Sequence, residues 1–290
     1  MPVSFAGTMA PQKFDDLGKE ARDLIQKNFH FGVFKLEAKT KAKNGVEFTA
    51  EGSHTTDTGN VAGSLETKFK YADYGLTFSE KWSTDNVIAT TISIDNKIAQ
   101  GVKVDFDTTF APVTGKKSAK VKSAYAHENL HATTDIDFDF AGPTVHGSAV
   151  FAYKGFHAGY QASFNSANSK LTSNNVCLAY KNGDLVIHSG VADASKFVGS
   201  VHHQINEQLA AAALLRWTSG QNATSFTVAA KYDIDKDTFL KTKINNDLHL
   251  GLSYVQKLRP GVQLTLSSLI NAKSFEQGGH KLGLSLNFEA

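Results

Sequence analysis

The sequence predicts an all-β barrel that crosses a membrane, built of about nineteen antiparallel strands with apolar side chains facing lipid and polar ones facing water. Three observations predict it. From residue 33 onward the chain alternates apolar and polar residues with period two. Turn-forming pairs punctuate that alternation at short intervals. No apolar run is long enough for a membrane helix; the longest, residues 209–215, is one strand long.

Composition agrees. Of 290 residues, 41% are hydrophobic and 20% charged, too apolar for a disordered chain and too polar for a helical membrane bundle. With 23 Gly, 5 Pro and frequent Thr, Ser, Val and Phe, the mixture suits strands and tight turns. A net charge of +2 gives no reason to expect a nucleic-acid partner. Cys177 is the single cysteine, so an internal disulfide is excluded; it is expected as a buried or lipid-facing thiol. The start is neither a secretory signal, being interrupted by Lys13, Asp15 and Asp16, nor an Arg-rich transit peptide.

The elements follow in order. Residues 14–29 carry the one helical period: Leu17, Ala21, Leu24 and Ile25 share a face, and Asp16, Lys19, Glu20, Asp23 and Lys27 fill the rest. Asp15 or Asp16 is the expected cap. Then alternation begins. Phe34, Leu36, Ala38 and Ala42 oppose Lys35, Glu37, Lys39 and Lys41; Lys43-Asn44-Gly45 is a hairpin signal; Val46, Phe48 and Ala50 oppose Glu47, Thr49 and Glu51. Leu130, Ala132, Thr134, Ile136 and Phe138 oppose His131, Thr133, Asp135 and Asp137. Similar runs start at Phe156 and at Lys281. Turn signals stand at Thr58-Gly59, Ala141-Gly142-Pro143, Asn182-Gly183, Ser219-Gly220, Pro260-Gly261 and Gly278-Gly279. Runs of about eight to eleven residues match a tilted membrane strand.

A soluble β-rich binding protein, apolar face inward, is the rival reading. Two features favour the membrane. So many strands in a soluble protein usually split into two sheets or domains, and no linker is visible. Aromatics also collect near run ends, at Phe69, Tyr71, Tyr74, Trp82, Tyr153, Tyr180, Trp217, Tyr232 and Tyr254, as an interfacial girdle requires.

Three enzyme-like motifs fail. His127-Glu128-Asn129-Leu130-His131 spells a zinc-hydrolase motif but runs into a strand, where its two His are not one helical turn apart. Asp233-x-Asp235-x-Asp237 lacks the Gly and closing Glu of a calcium loop. Gly115-Lys116-Lys117 lacks the remainder of a phosphate loop. No catalytic residue and no metal ligand is assigned. Glu80 is the outlying residue: by alternation it shares a face with Tyr74, Leu76, Phe78 and Trp82, which would point a carboxylate at lipid.

Over nearly its whole length the chain resembles the eukaryotic voltage-dependent anion channels, the porins of the mitochondrial outer membrane. The resemblance lies in Asp16-Leu17-Gly18-Lys19 with Ala21-Arg22-Asp23, in Gly63-Ser64-Leu65-Glu66-Thr67-Lys68, in Tyr74-Gly75-Leu76-Thr77-Phe78 with Glu80-Lys81-Trp82, in Tyr232-x-Ile234-Asp235 through Lys243-x-Asn245-Asn246, and in Gly278-Gly279-His280-Lys281-Leu282-Gly283-Leu284. It implies nineteen strands, closed by a parallel first–last pair, as one porin domain over residues 1–290: an N-terminal extension at 1–13, an amphipathic helix inside the lumen at 14–29, and a barrel at 33–288. Met1 and Met9 both stay open as the start. Lys281, Gly283, Leu286 and Phe288 resemble the family's sorting signal, which implies integral insertion in the mitochondrial outer membrane.

The resemblance further implies a voltage-gated, weakly anion-selective channel for ATP, ADP, phosphate and other small metabolites. No cofactor is required, and ATP and NADH are expected as modulators. Lys19, Arg22 and Lys27 are expected to face the water path, Lys19 and Lys27 resembling ATP-contacting positions. His249, Leu250 and Gly251 with Ser267, Ser268, Leu269, Ile270 and Asn271 resemble positions linked to NADH. Gly101-Val102-Lys103 resembles a nucleotide motif, departing from it at Val102. Glu80 is implied in lipid headgroup or ceramide contact. Homo-oligomers, hexokinase-type partners and apoptosis regulators are the implied assemblies. A barrel with a role in protein import is a third reading.

Overall fold

The computed structural model describes residues 11–138, 142–221 and 224–290. The expected N-terminal extension, apart from Pro11, Gln12 and Lys13, and Ala141 of one turn signal lie outside them. The rest is a ring of nineteen strands. In chain order these are β1 Val33–Lys41, β2 Glu47–Thr55, β3 Val61–Tyr71, β4 Leu76–Ser83, β5 Ile88–Asp95, β6 Val102–Ala111, β7 Lys116–Ala126, β8 Leu130–Phe138, β9 Thr144–Tyr153 and β10 Phe156–Asn165. They continue as β11 Lys170–Asn182, β12 Leu185–Ala192, β13 Lys196–Gln204, β14 Leu209–Thr218, β15 Thr224–Asp233, β16 Thr238–Asn245, β17 His249–Arg259, β18 Val262–Asn271 and β19 Lys281–Glu289.

Each strand pairs antiparallel with the next, and β1 pairs parallel with β19, Phe34 opposite Leu284. An odd count forces this: after eighteen reversals the last strand points the same way as the first. Closure leaves no unpaired sheet edge, which is the condition for a sheet in hydrocarbon. Eighteen strands have 8 to 11 residues; β11 is longer, at 13. A strand of nine to eleven residues, tilted about 40°, spans roughly 23–28 Å.

The alternation sets the faces. Phe34 and Leu36 are 46% and 51% exposed on the outer surface, as are Phe48, Leu65, Phe78, Trp82, Leu178 and Phe226. A surface so apolar suits lipid rather than water, which disfavours the soluble reading. The aromatic girdle divides by rim. Tyr71, Tyr125, Tyr153, Tyr180 and Tyr232 stand near the ends of odd-numbered strands and thus share one rim. Trp82 and Trp217 stand near the ends of the even-numbered β4 and β14, on the opposite rim. Tyr254 departs from the expectation and falls in the middle of β17.

The N-terminal helix is shorter than its periodicity predicts. A 3-10 turn at Phe14–Asp16 precedes α1, Lys19–Gln26, and the two are separated by Leu17 in extended geometry and Gly18 at φ +69°. Neither Asp15 nor Asp16 caps α1; the cap position is Gly18 itself. The break has a packing cause. It lets Leu17 leave the helical path and sink against Val150, Cys177 and Ala179 of the wall, while Ala21, Leu24 and Ile25 pack on Ala210, Ala212, Leu214 and Ala229. Lys27, in extended geometry, ends the helix, and Asn28 at φ +67° then turns the chain toward β1.

Much of the wall beneath this segment is made of small residues. The closest approach is at Gly283, where an added Cβ would lie 1.6 Å from the His30 carbonyl oxygen. Ser267 Oγ accepts from the His30 amide at 3.0 Å, and Ser253 Oγ donates to the Asn28 carbonyl at 2.5 Å.

Both tryptophans should therefore be quenched by brominated acyl chains in reconstituted bilayers and be shielded from aqueous iodide; iodide quenching of both would refute the outward register. Gly283→Ala should lower the thermal midpoint of the detergent-solubilised barrel, overpacking costing about 1–3 kcal/mol. Gly52→Ala, with open space around it, should not.

Candidate functional site

The lumen has two unlike halves. From β1 to β8 the inward positions carry an interleaved ladder of charge. Lys35 lies 3.0 Å from Glu37 and 3.6 Å from Glu51, and Lys81 lies 3.4 Å from Glu51. Further round, Lys103–Asp105 is 2.8 Å, Lys122–Asp107 2.7 Å and Lys120–Asp137 2.8 Å. Period two puts these groups on one face of each strand, and neighbouring strands place opposite charges side by side. Such a wall is well hydrated yet close to locally neutral, so it attracts neither ion sign strongly. A recess of about 630 Å³ opens here across β3 to β6, with Lys68, Lys70, Lys97, Lys103, Glu66 and Asp95 in its lining.

From β9 to β19 residues 14–31 lie against a wall that is small and apolar at Val150, Cys177, Ala179, Ala210, Ala212, Leu214 and Ala229, with Lys181, His188, Lys241 and Lys243 as polar points among them. This explains residues 209–215: the run is apolar on both faces because Ala210, Ala212 and Leu214 meet α1 while Leu215 faces outward. Cys177 is buried on this inner wall, its Sγ 2.7 Å from His188 Nε2, with Ser200 Oγ 3.3 Å from His188 Nδ1.

The three cationic residues of the helical segment fare differently. Lys19 is exposed and pairs with Asp16 at 2.9 Å; Lys27 is exposed and pairs with Asp23 at 2.6 Å. Both ammonium groups thus border the water path, each partly screened by its own acid. Arg22 is half-exposed, and its guanidinium donates to the Leu17 carbonyl at 3.1 Å and to the Asp15 carbonyl, stitching the break in the helical segment. Glu20 meets Lys181 of the wall at 3.3 Å. Burial works to raise the Glu20 carboxyl, but hydrogen bonds from its own backbone amide, Gln12 and Lys181 prevail and hold it below the usual range.

Two residues that sequence reasoning missed grip the other end of α1. Lys241 Nζ donates to the carbonyls of Asp23 at 3.0 Å and Lys27 at 2.9 Å; Lys243 Nζ donates to that of Ile25 at 3.0 Å. Lys243 also stands 4.1 Å over the Phe29 ring and 5.0 Å over Phe31. The helix C-terminus leaves carbonyls such as that of Ile25 without an intrahelical partner, and its last turn carries the negative end of the dipole; the Asp23 carbonyl also accepts the Lys27 amide at 3.0 Å. The only sequence signal was a pair of lysines spaced i, i+2 on the inward face of β16.

The remaining expected residues fall as follows. Glu80 points outward with Phe78 and Trp82, between Thr67 and Thr90 in register, while Ser79 and Lys81 point inward. The two stretches expected from the resemblance to be NADH positions are antiparallel neighbours, His249 opposite Asn271, Leu250 opposite Ile270 and Gly251 opposite Leu269. Leu250, Ser268 and Ile270 lie on the outer face of that pair. Of the inward members, Gly251 is overlaid by Phe31 and Ser267 by His30. Gly101 forms a rim turn at φ +78°, Val102 opens β6 facing outward, and Lys103 alone enters the lumen. His131 lies in β8 and His127 ahead of it, so no helix pairs the two. Among the described residues no group of three or more His, Cys, Asp or Glu is placed to hold a metal ion.

The comparisons with known proteins agree with this architecture. The family described as eukaryotic porin matches residues 10–283. The "Non-selective voltage-gated ion channel VDAC2" of Meleagris gallopavo is 55% identical over 280 residues, covering 97% of this chain and 95% of that one. The protein of the same name from Homo sapiens is 53% identical with the same coverage, and that from Rattus norvegicus 52% over 290 residues, covering 100% and 98%. A closed nineteen-strand ring with an N-terminal helix in its lumen, and this degree of identity over nearly the full length, place the chain in the eukaryotic porin family.

Proposed function

We propose that this protein is a voltage-gated pore of the mitochondrial outer membrane that passes ATP, ADP, phosphate, organic anions and small cations. The observation that carries the reading is the charged, hydrated half-lumen of β1 to β8 inside a ring whose outer surface is apolar. Passage needs no catalytic step: a water-filled path lowers the barrier, and the charges along it bias which ion enters. The membership shown above and the names of the relatives support it, since those relatives are called voltage-gated ion channels. The apolar outer belt counts against the soluble binding protein.

Selectivity for anions is weak in this reading. The ladder of alternating charge contributes little, and Lys19 and Lys27 supply the bias where α1 narrows the path. ATP is proposed to interact there through its phosphates, with the Lys103 recess as a second contact. NADH at the β17–β18 pair needs the 28–31 segment to move first, since Phe31 and His30 cover part of it. Voltage sensing follows from moving a charged segment through part of the field, about 2.3 kcal/mol per charge per 100 mV. Glu80 is proposed to contact lipid headgroups, ceramide included, and to take part in homo-oligomer contacts and the docking of hexokinase-type partners; apoptosis regulators are proposed as further partners of the barrel. A carboxyl group on the lipid face is penalised less than a basic one, which makes its retention there feasible.

Purified protein in planar bilayers should give large conductance steps that fall to a lower level at either polarity, with a small reversal potential favouring anions in a salt gradient. A folded, membrane-inserted barrel that stays electrically silent would remove the channel reading. Lys19→Gln with Lys27→Gln should shift the reversal potential toward cations. Glu80→Gln should leave the open conductance unchanged while reducing crosslinking by a lipid photoprobe.

A further inference from the structure

The N-terminal segment is held unevenly. At its start, Phe14 and Leu17 rest on apolar wall residues. At the helix C-terminus the attachment is polar and buried: Lys241, only 4% exposed, and Lys243 donate to three carbonyls of residues 23–27 and sit against Phe29, at 5.5 and 4.1 Å from the ring centre. Their partners are carbonyl oxygens and aromatic rings, not carboxylates. Asp23, the nearest acid on α1, is engaged with Lys27. Lys231, which stands beside Lys241 in register, is drawn to Asp233 at 2.7 Å. The Lys241 ammonium is thus taken out of water and the Lys243 ammonium half-buried, with the helix C-terminus as their main compensation.

We propose that Lys241 and Lys243 form the latch of α1: they hold the helix on the wall, set how much field is needed to release it, and become open lumenal cations once it lifts. These are positioning residues, and their consequence for conduction rests on the channel reading above. The arrangement implies reciprocity. With α1 docked, the helix hides two positive charges from the water path. With α1 released, those charges face passing ions, so the released pore differs in selectivity as well as in width.

The test replaces both lysines by methionine, which keeps much of the stem and removes the donors, in protein reconstituted in lipid nanodiscs and in planar bilayers. Amide exchange across residues 19–27 should accelerate roughly tenfold or more, as expected when charged hydrogen bonds are lost, while strand amides outside β16 keep their protection. The same variant should close at lower voltage, and its closed state should be less anion-preferring than that of the unmodified protein. Lys241→Arg, which retains donors, should restore slow exchange. Should the double variant fail to refold, Lys243→Met alone carries the same readouts. Unchanged exchange in 19–27 together with unchanged gating overturns the latch. Faster exchange in a protein whose unmodified form never conducts overturns the channel reading and leaves the latch standing.

Discussion

The structure depends on one constraint: a strand immersed in hydrocarbon must satisfy its backbone through neighbours on both sides, so the sheet has to close. Everything else is arranged around that ring. Because the chain makes nineteen strands, closure is possible only with β1 and β19 parallel, Phe34 beside Leu284. Because side chains alternate, closure also separates two chemistries across a single layer of backbone. Apolar side chains line the outside, Phe34 and Leu36 beside Phe78 and Trp82, and Lys35, Glu37, Lys81 and Glu51 meet inside.

A ring this wide cannot fill its interior with its own wall side chains. The chain answers with residues 14–31, and the wall divides accordingly. Where the segment lies, many inward positions are Gly, Ala, Ser and Val, with Lys181, Lys241 and Lys243 reaching the segment as donors and Gly283 so close to His30 that no side chain fits. Where it does not lie, the inward positions are Lys, Asp and Glu in near-neutral pairs. The water path therefore runs between a charged wall and the exposed flank of a helix whose own charges, Lys19 with Asp16 and Lys27 with Asp23, are also paired. Paired charge on both sides is the physical basis for a pore that is permissive more than selective.

Much of this was legible in the sequence. Alternation gave the strands and their faces, and Asn44-Gly45 and the Gly-bearing turns gave the breaks, because both signals are local. Glu80 was placed on the outer face by counting alone. The limits of α1 were not legible: the apolar period ran through Leu17, but a contact with Val150, more than a hundred residues away, pulled Leu17 out of the helix. The role of Arg22 was hidden for the same reason, since its acceptors exist only once the helical course breaks at Leu17 and Gly18. Lys241 read as an ordinary inward lysine; its acceptors, the carbonyls of Asp23 and Lys27, lie over two hundred residues away. The doubly apolar run 209–215 did signal a covered inner face, yet nothing local says that a helix covers it.

The most direct test is a cysteine scan through β1 in a Cys177→Ser background, in membrane-embedded protein, with a charged, membrane-impermeant thiol reagent. Cysteines at Lys35, Glu37 and Lys39 should react rapidly, and those at Phe34, Leu36 and Ala38 should not. Reaction at the second set, or equal reaction at both, would contradict a barrel that keeps hydrocarbon outside and water within.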